Sequence, residues 1–493
     1  MAPALGAANH WRPKIIGRFS IRRSGTVVRI IAQVWLIGFA VLQVVCQAGK
    51  EPSLPAGGRI GDVAGESDPT QTYALYLPST YTATKRWPII YFFDPGGRGR
   101  RPLELYKDIA EKYGFVLAGS NNSRNFSADE SKSVNAIWQD THQRLVLDGH
   151  LTYASGFSGG ARVAGVMALS CLQCQIAGVI AHGAGYPTNW GEAKDKLLYF
   201  FAVGDQDFNW SEVMMVRRQR QQKGLPYRVR VFSGPHQWAP AAVMEDAVEW
   251  LVLRAMRSGD RPLDTAFIDQ MLSKMQAEAG GAEKTNDAIA QLNAYESLVS
   301  DFAGLRDVAE SEKKLEVLKK SSALKAALKN EQEQIADQSA LESEVSTKLH
   351  AYMSGTADDD ITLGNDLLQS ILRLKDQAER SKNATKRLIS RRAFDEVWVA
   401  GIESGQQELE SRHFGRAEAC FDLMSKVRDD PWPVLLLAET HASAGNRKRA
   451  MRDLQEAVRR GLTDASVIES NDRLQVLKAD PEFQKLVQGL KQK

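Results

Sequence analysis

One pattern constrains this chain more than any other. Between residues 69 and 258, short apolar runs alternate with segments of helical spacing. The strand candidates are 72–78 (TYALYLP), 88–94 (PIIYFFD), 115–120 (FVLAGS), 151–157 (LTYASGF), 178–184 (GVIAHGA), 197–204 (LLYFFAVG) and 227–234 (YRVRVFSG). Several are apolar without interruption, as parallel strands covered on both faces must be. Between them, 103–114, 133–145 and 159–170 repeat apolar residues at helical intervals, and 239–256 follows as a strong amphipathic helix with Pro240 near its start. Alternation of this kind predicts an α/β domain with a doubly wound, mostly parallel sheet.

The chain is 493 residues long, more than one core usually fills, so further domains are expected. Residues 51–68 are rich in Gly, Pro and Ser and read as a linker. From 261 to 393 strand signals vanish and Lys, Glu, Gln, Ala and Leu dominate. This stretch reads as long helices carrying solvated charge. From 394 to 490 a repeat emerges. Gly405, Ala417 and Phe421 recur 33 positions later as Ala438, Ala450 and Leu454. The spacing resembles tetratricopeptide repeats, whose period is 34. That resemblance implies paired helices and a surface for a protein partner.

The amino terminus has its own character. No acidic residue precedes Glu51, while Arg12, Lys14, Arg18, Arg22, Arg23 and Arg29 lead into an uncharged apolar run from Ile30 to Gly49. Residues 1–50 therefore read as an export signal or as an uncleaved membrane anchor. A lipid-modified Cys46 is the weaker reading, because Gln43-Val44-Val45 lacks the small residue expected before it. In each case the rest of the chain is expected outside the cytoplasm. The net charge of +3 and the lack of a Lys/Arg stripe exclude a nucleic-acid footprint. Cys171 and Cys174 form a lone CxxC, which is not a zinc site without a second pair. Two buried thiols are expected there, with a local disulfide as the alternative.

The chemistry centres on 153–165 (YASGFSGGARVAG). A Gly-x-Ser-x-Gly pattern is weak alone, but here a strand enters and a helix leaves. That context is the nucleophile elbow, which lifts Ser158 to the carboxyl end of the sheet above a helix N-terminus. A serine hydroxyl needs a base, and the base needs an orienting carboxylate. The strand 197–204 runs into GDQDFNW, and the strand 227–234 into GPHQWAP. Asp207 is the expected acid, with Asp205 as the alternative. His236 is the expected base. His182 follows a strand in the wrong place for that role. Trp210 and Trp238 are read either as an aromatic rim or as packing, and Arg162 as a structural arginine.

At these residues the segment from about Tyr73 to Met256 resembles the α/β-hydrolase superfamily. The compact esterases similar to feruloyl esterases, polyhydroxybutyrate depolymerases and dienelactone hydrolases look nearest. The resemblance implies hydrolysis of carboxylic esters, in a small molecule or a polymer, without metal or organic cofactor. It also implies an oxyanion hole from the N–H groups of Gly159 and of Gly96, with Gly97 as the alternative to Gly96. The loop 93–99 departs from the family, carrying Asp94-Pro95 where His-Gly is usual. No lid insertion is expected. Two rivals remain: a serine peptidase of the same fold, and a vestigial hydrolase domain serving as a scaffold.

Overall fold

The computed structural model describes residues 54–55, 57–126, 130–187, 196–354 and 360–492. The expected signal or anchor at 1–50 lies outside the described residues. Among those described, no helix is long and apolar enough to cross a membrane.

Eight strands form one sheet: β1 (Ile60–Ala64), β2 (Thr72–Tyr76), β3 (Trp87–Phe93), β4 (Val116–Ser120), β5 (Leu147–Phe157), β6 (Gly178–His182), β7 (Leu198–Gly204) and β8 (Tyr227–Phe232). Their order is β1-β2-β4-β3-β5-β6-β7-β8. The β1–β2 and β2–β4 pairs are antiparallel and every other pair is parallel. Five helices connect and cover them: α1 (Arg100–Tyr113), α2 (Glu130–Arg144), α3 (Gly159–Ser170), α4 (Trp210–Gln222) and α5 (Ala241–Ser258). This is the doubly wound, mostly parallel α/β arrangement expected from the sequence.

Side-chain alternation explains the continuous apolar runs. On β3, Ile90 and Phe92 face the layer of α1 and α5, while Ile89, Tyr91 and Phe93 face α2, α3 and α4. β7 divides in the same way, with Phe200 and Ala202 on one face and Tyr199, Phe201 and Val203 on the other. Successive strand residues point to opposite faces, so a strand covered twice must be apolar at every position.

The segment read as a linker is only partly one. Residues 60–64 form the edge strand β1, with Ile60 paired to Tyr76 and Ala64 to Thr72. Five residues, IGDVA, are too short and too mixed to show a strand period. The CxxC is also corrected, because Cys171 and Cys174 are joined as a disulfide rather than left as thiols.

Beyond α5 the chain is helical: α6 (Thr265–Lys284), α7 (Ala288–Phe302), α8 (Ala309–Lys320), α9 (Ser322–Ser354), α10 (Asp360–Arg380), α11 (Ala384–Glu410), α12 (Phe414–Val427), α13 (Pro431–Ser443), α14 (Arg447–Arg459), α15 (Ala465–Glu469) and α16 (Pro481–Lys491). Ile268 and Met271 of α6 and Leu292 and Leu298 of α7 extend the core beneath α5. The boundary expected at 393/394 falls inside α11, a single helix of 27 residues. Small residues sit where helices touch: a Cβ on Gly405 would stand 2.5 Å from the ring of Phe421. Ala417, Ala438, Ala450 and Ala457 are fully buried.

The expectation of solvated charge from 261 to 393 fails at particular residues. Glu331 and Gln338 of α9 and Arg392 of α11 are buried, at 5%, 0% and 2% exposure. Glu331 meets Arg217 at 2.5 Å and Arg218 at 3.0 Å, both on α4. These polar groups join the helical region to the sheet domain.

Candidate active site

The turn between β5 and α3 is strained at its centre. Ser158 has φ 54° and ψ −122°, a conformation that costs a non-glycine residue about 1–3 kcal/mol. The surroundings fix it there. Its N–H donates to the carbonyl of His182 at 2.8 Å. The glycines on either side let the helix leave close to the sheet. A Cβ on Gly156 would lie 2.2 Å from the carbonyl oxygen of Gly160, and one on Gly160 would lie 2.0 Å from that of Phe93. Ser158 is half-buried, and the N–H groups of Gly159 and Gly160 head the first turn of α3, where no intrahelical acceptor exists.

The loops after β7 and β8 bring the expected acid and the expected base together. His236 Nδ1 lies 2.9 Å from Asp207 Oδ1, and Asp207 is fully buried. The same oxygen accepts the N–H of Asn209 at 2.8 Å. Asn209 Nδ2 in turn donates to the carbonyl of Gly183 at 2.7 Å. Gly183 has φ +60°, and a Cβ there would stand 2.8 Å from Asp207 Oδ2 and 3.0 Å from His236 Nδ1. The imidazole is packed between the rings of Phe208, at 4.1 Å, and Phe157, at 4.4 Å. Phe157 immediately precedes Ser158, so His236 lies close to the turn that carries Ser158.

Asp205, the alternative acid, is engaged elsewhere. Its Oδ1 accepts the N–H of Gly234 at 3.0 Å, which ties the acid loop to the base loop. His182, the alternative base, is fully buried, and burial pulls its pKa down to about 3. Its ring stacks on Tyr106 and packs at a tilt against Trp238. Both tryptophans are buried packing groups rather than a rim, at 7% exposure for Trp210 and 6% for Trp238. Arg162 is structural: its guanidinium forks Glu212 of α4 at 2.6 and 2.9 Å.

The Asp94-Pro95 departure acquires a physical reason, and the expected second oxyanion donor is corrected. Asp94 is fully buried. Its Oδ1 accepts Arg98 Nε and the Gly96 N–H, both at 2.8 Å, and its Oδ2 accepts Trp238 Nε1 at 3.1 Å. The carboxylate therefore shapes this loop and links it to the loop of His236. The Gly96 N–H is spent on that carboxylate, and the Gly97 N–H donates to the Asp94 carbonyl at 2.9 Å. Neither is free for substrate.

Another group stands at the turn. The Asn125 carboxamide lies against Gly159, with Oδ1 2.0 Å from where a Cβ on that glycine would be. Its Nδ2 is 3.4 Å from Glu403 Oε1 on α11. Burial raises the Glu403 pKa, while Arg162, Asn125 and His236 oppose the shift. Burial, then the neighbouring Glu342 and Glu403, push Glu396 of α11 up to about 7. The helices beyond the sheet domain thus border the site.

Sequence reasoning missed Asn125, Gly183, Asn209, Gln338 and Arg392. Only Asn209 carried a local cue, since an Asp two residues before it commonly accepts its N–H. A cavity of about 1230 Å³ lies at the other end of the sheet. It is bordered by Gly149, Leu197 and Pro226 at the starts of β5, β7 and β8, and by Asn293 and Ser297 of α7.

No family model matches this chain, and no curated protein matches it. Solved structures do resemble it in part. The fluorophosphonate-binding serine hydrolase F of Staphylococcus aureus is 14% identical, covers 40% of this chain and 99% of its own, and has a TM-score of 0.33. An esterase of Pyrobaculum calidifontis is 13% identical over 41% of this chain and 87% of its own, with a TM-score of 0.33. Esterase 2 of Thermogutta terrifontis, phosphorylated by paraoxon, is 14% identical over 42% of this chain and 96% of its own, with a TM-score of 0.34. Likeness at this level stands as a resemblance and no more.

Proposed function

We propose that the chain is a serine hydrolase that cleaves carboxylic esters. The observation that carries the reading is the strained Ser158 at the β5–α3 turn, with the His236 imidazole packed on the preceding Phe157 and held through Nδ1 by the buried Asp207. Asp207 on Nδ1 leaves His236 Nε2 as the free nitrogen. That nitrogen takes the Ser158 proton as Oγ attacks the ester carbonyl. The tetrahedral oxyanion is met by the Gly159 N–H and by the second N–H of Asn125 Nδ2, whose first is turned to Glu403, in place of Gly96, whose single N–H is held by Asp94. Collapse expels the alcohol, which receives the proton from His236. Water then attacks the acyl-enzyme with His236 again as base, releasing the acid and restoring Ser158.

The disulfide between Cys171 and Cys174 supports the reading of an exported protein, because such bonds persist in oxidising compartments. The buried small residues between α11 and α14 support tetratricopeptide-like helix pairs.

The test is hydrolysis of a p-nitrophenyl ester series by the full chain, with Ser158→Ala and Asn125→Ala beside it. Loss of the nucleophile lowers kcat by about 10⁴-fold or more. Loss of an oxyanion donor lowers it by about 10²-fold with little change in KM. A wild-type protein no faster than Ser158→Ala would contradict the reading and favour the scaffold.

A further inference from the structure

The loop that carries Asp207 is held from outside its own domain. Three contacts from the helical region converge on residues 205–210. Arg392 of α11 donates through Nε to the Asp205 carbonyl at 2.7 Å. Its guanidinium lies 3.8 Å over the ring of Trp210. Gln338 of α9 donates through Nε2 to the Phe208 carbonyl at 2.8 Å. Both side chains are buried, so both bonds form out of competition with water. Phe208 is the residue whose ring packs on His236. The loop's other ties, Asp205 to Gly234 and Asn209 to Gly183, stay within the sheet domain.

We infer that the helical region is part of the catalytic machinery, with Arg392 and Gln338 as positioning residues for the Asp207–His236 pair. The inference rests on the esterase reading above. Neither residue touches the reacting atoms. Gln338 fixes the backbone that places Phe208 against the imidazole. Arg392 fixes the backbone on the other side of Asp207 and brings a buried cation to it.

Burial is costly for that cation and draws its pKa down to about 10, against the pull of Asp205 and Asp207. Its Nη1 has no hydrogen-bond partner among the described residues. A buried cation that is only partly satisfied is an expensive way to bond one carbonyl. Its charge explains its presence better. Asp207 is buried with Oδ2 unbonded, and among the described residues no Lys or Arg of the sheet domain is paired with it. The charges facing the pair are Asp205 on the acid loop and Arg392 and Glu403 on α11. Glu396 of α11, Glu342 of α9, Glu212 of α4 and Arg162 of α3 form a second group beside Glu403.

The Arg392 cation is close enough to Asp205 and Asp207 to feel both charges, and so adds positive potential beside the Asp207–His236 pair. Removing the cation favours the imidazolium. Since His236 must be neutral to accept the serine proton, the acid limb of kcat/KM moves to higher pH. Gln338 is neutral, so its loss lowers kcat without moving the limb.

The experiment is the pH profile of ester hydrolysis by the full chain and by Arg392→Met, Arg392→Lys and Gln338→Leu. Active sites are counted by fluorophosphonate titration, so that misfolded protein does not enter kcat. Arg392→Met is expected to lower kcat about tenfold and raise the acid limb by about half a pH unit or more. Arg392→Lys restores the limb and part of the rate. Gln338→Leu lowers kcat with the limb in place. If the wild type is active and the three variants share its rate per active site and its limb, the inference is wrong while the esterase reading stands. If a variant loses titratable sites but each remaining site keeps the wild-type profile, the contacts are merely structural and the inference again fails. An inactive wild type removes both.

Discussion

The two halves of the candidate site are held in different ways. The nucleophile turn is fixed from within: a backbone hydrogen bond from Ser158 to His182, and glycines packed so closely that a single Cβ at Gly156 or Gly160 would meet a backbone atom. The acid loop is fixed partly from across the molecule, by polar side chains 130 and 187 positions away in sequence. The first device depends on residues that lack side chains. The second depends on long side chains whose charge or dipole is buried. A local device leaves a motif in the sequence, and a distant one does not.

That contrast can be sharpened by breaking each side. The largest effect is expected at the polar seam. Glu331→Ala leaves Arg217 buried without its partner, which costs about 3–5 kcal/mol. Urea unfolding should register that loss, while Glu316→Ala, which removes an exposed pair with Lys320, should leave the midpoint in place. Equal midpoints for the two variants would mean that the seam is no stronger than surface charge. Next is the nucleophile turn. Gly160→Ala sets a methyl against the Phe93 carbonyl, where only backbone can yield, and is expected to destabilise by about 3 kcal/mol and to abolish turnover. A variant with wild-type stability would show that the turn has slack.

The smallest effect concerns Glu396 and depends on pH. Its folded pKa is raised to about 7 from the ordinary value of 4.5. Between those values the native state keeps a proton that the unfolded state has lost, so stability falls as pH rises through the window. Glu396→Gln removes the penalty. Its gain is expected to be nil near pH 4 and on the order of 1 kcal/mol at pH 8. Thermal unfolding at the two pH values measures it, and an equal gain at both would contradict the assignment.

What the sequence alone makes legible divides along the same line. The strands from 72 to 232 can be read because burial on two faces forces unbroken apolar runs, as at Ile89 to Phe93 and at Tyr199 to Val203. Helix α3 is legible to the residue, since Gly159 opens it and the CxxC closes it. The edge strand β1 is not, because an edge strand of five residues needs no regular pattern. The placement of Ser158, Asp207 and His236 at strand ends comes from chain order alone. The departure at Asp94 is visible, but its use is not, because Trp238 lies 144 positions away. Gln338 and Arg392 are hidden most completely. A helix rich in Lys, Glu and Gln gives the same composition whether one polar side chain points to water or into a neighbouring domain. Helical period reports which face is apolar, not which polar residue on the other face finds a buried partner.

The measurement that tests the central claim most directly is fluorophosphonate labelling of the full chain, followed by peptide mapping of the labelled site. Only a serine activated by a base reacts readily with such a probe. A single modified site at Ser158, lost in His236→Ala and retained in Asp205→Asn, is the result predicted here. A label on another serine, or labelling of Ser158 that is indifferent to His236, would contradict the account.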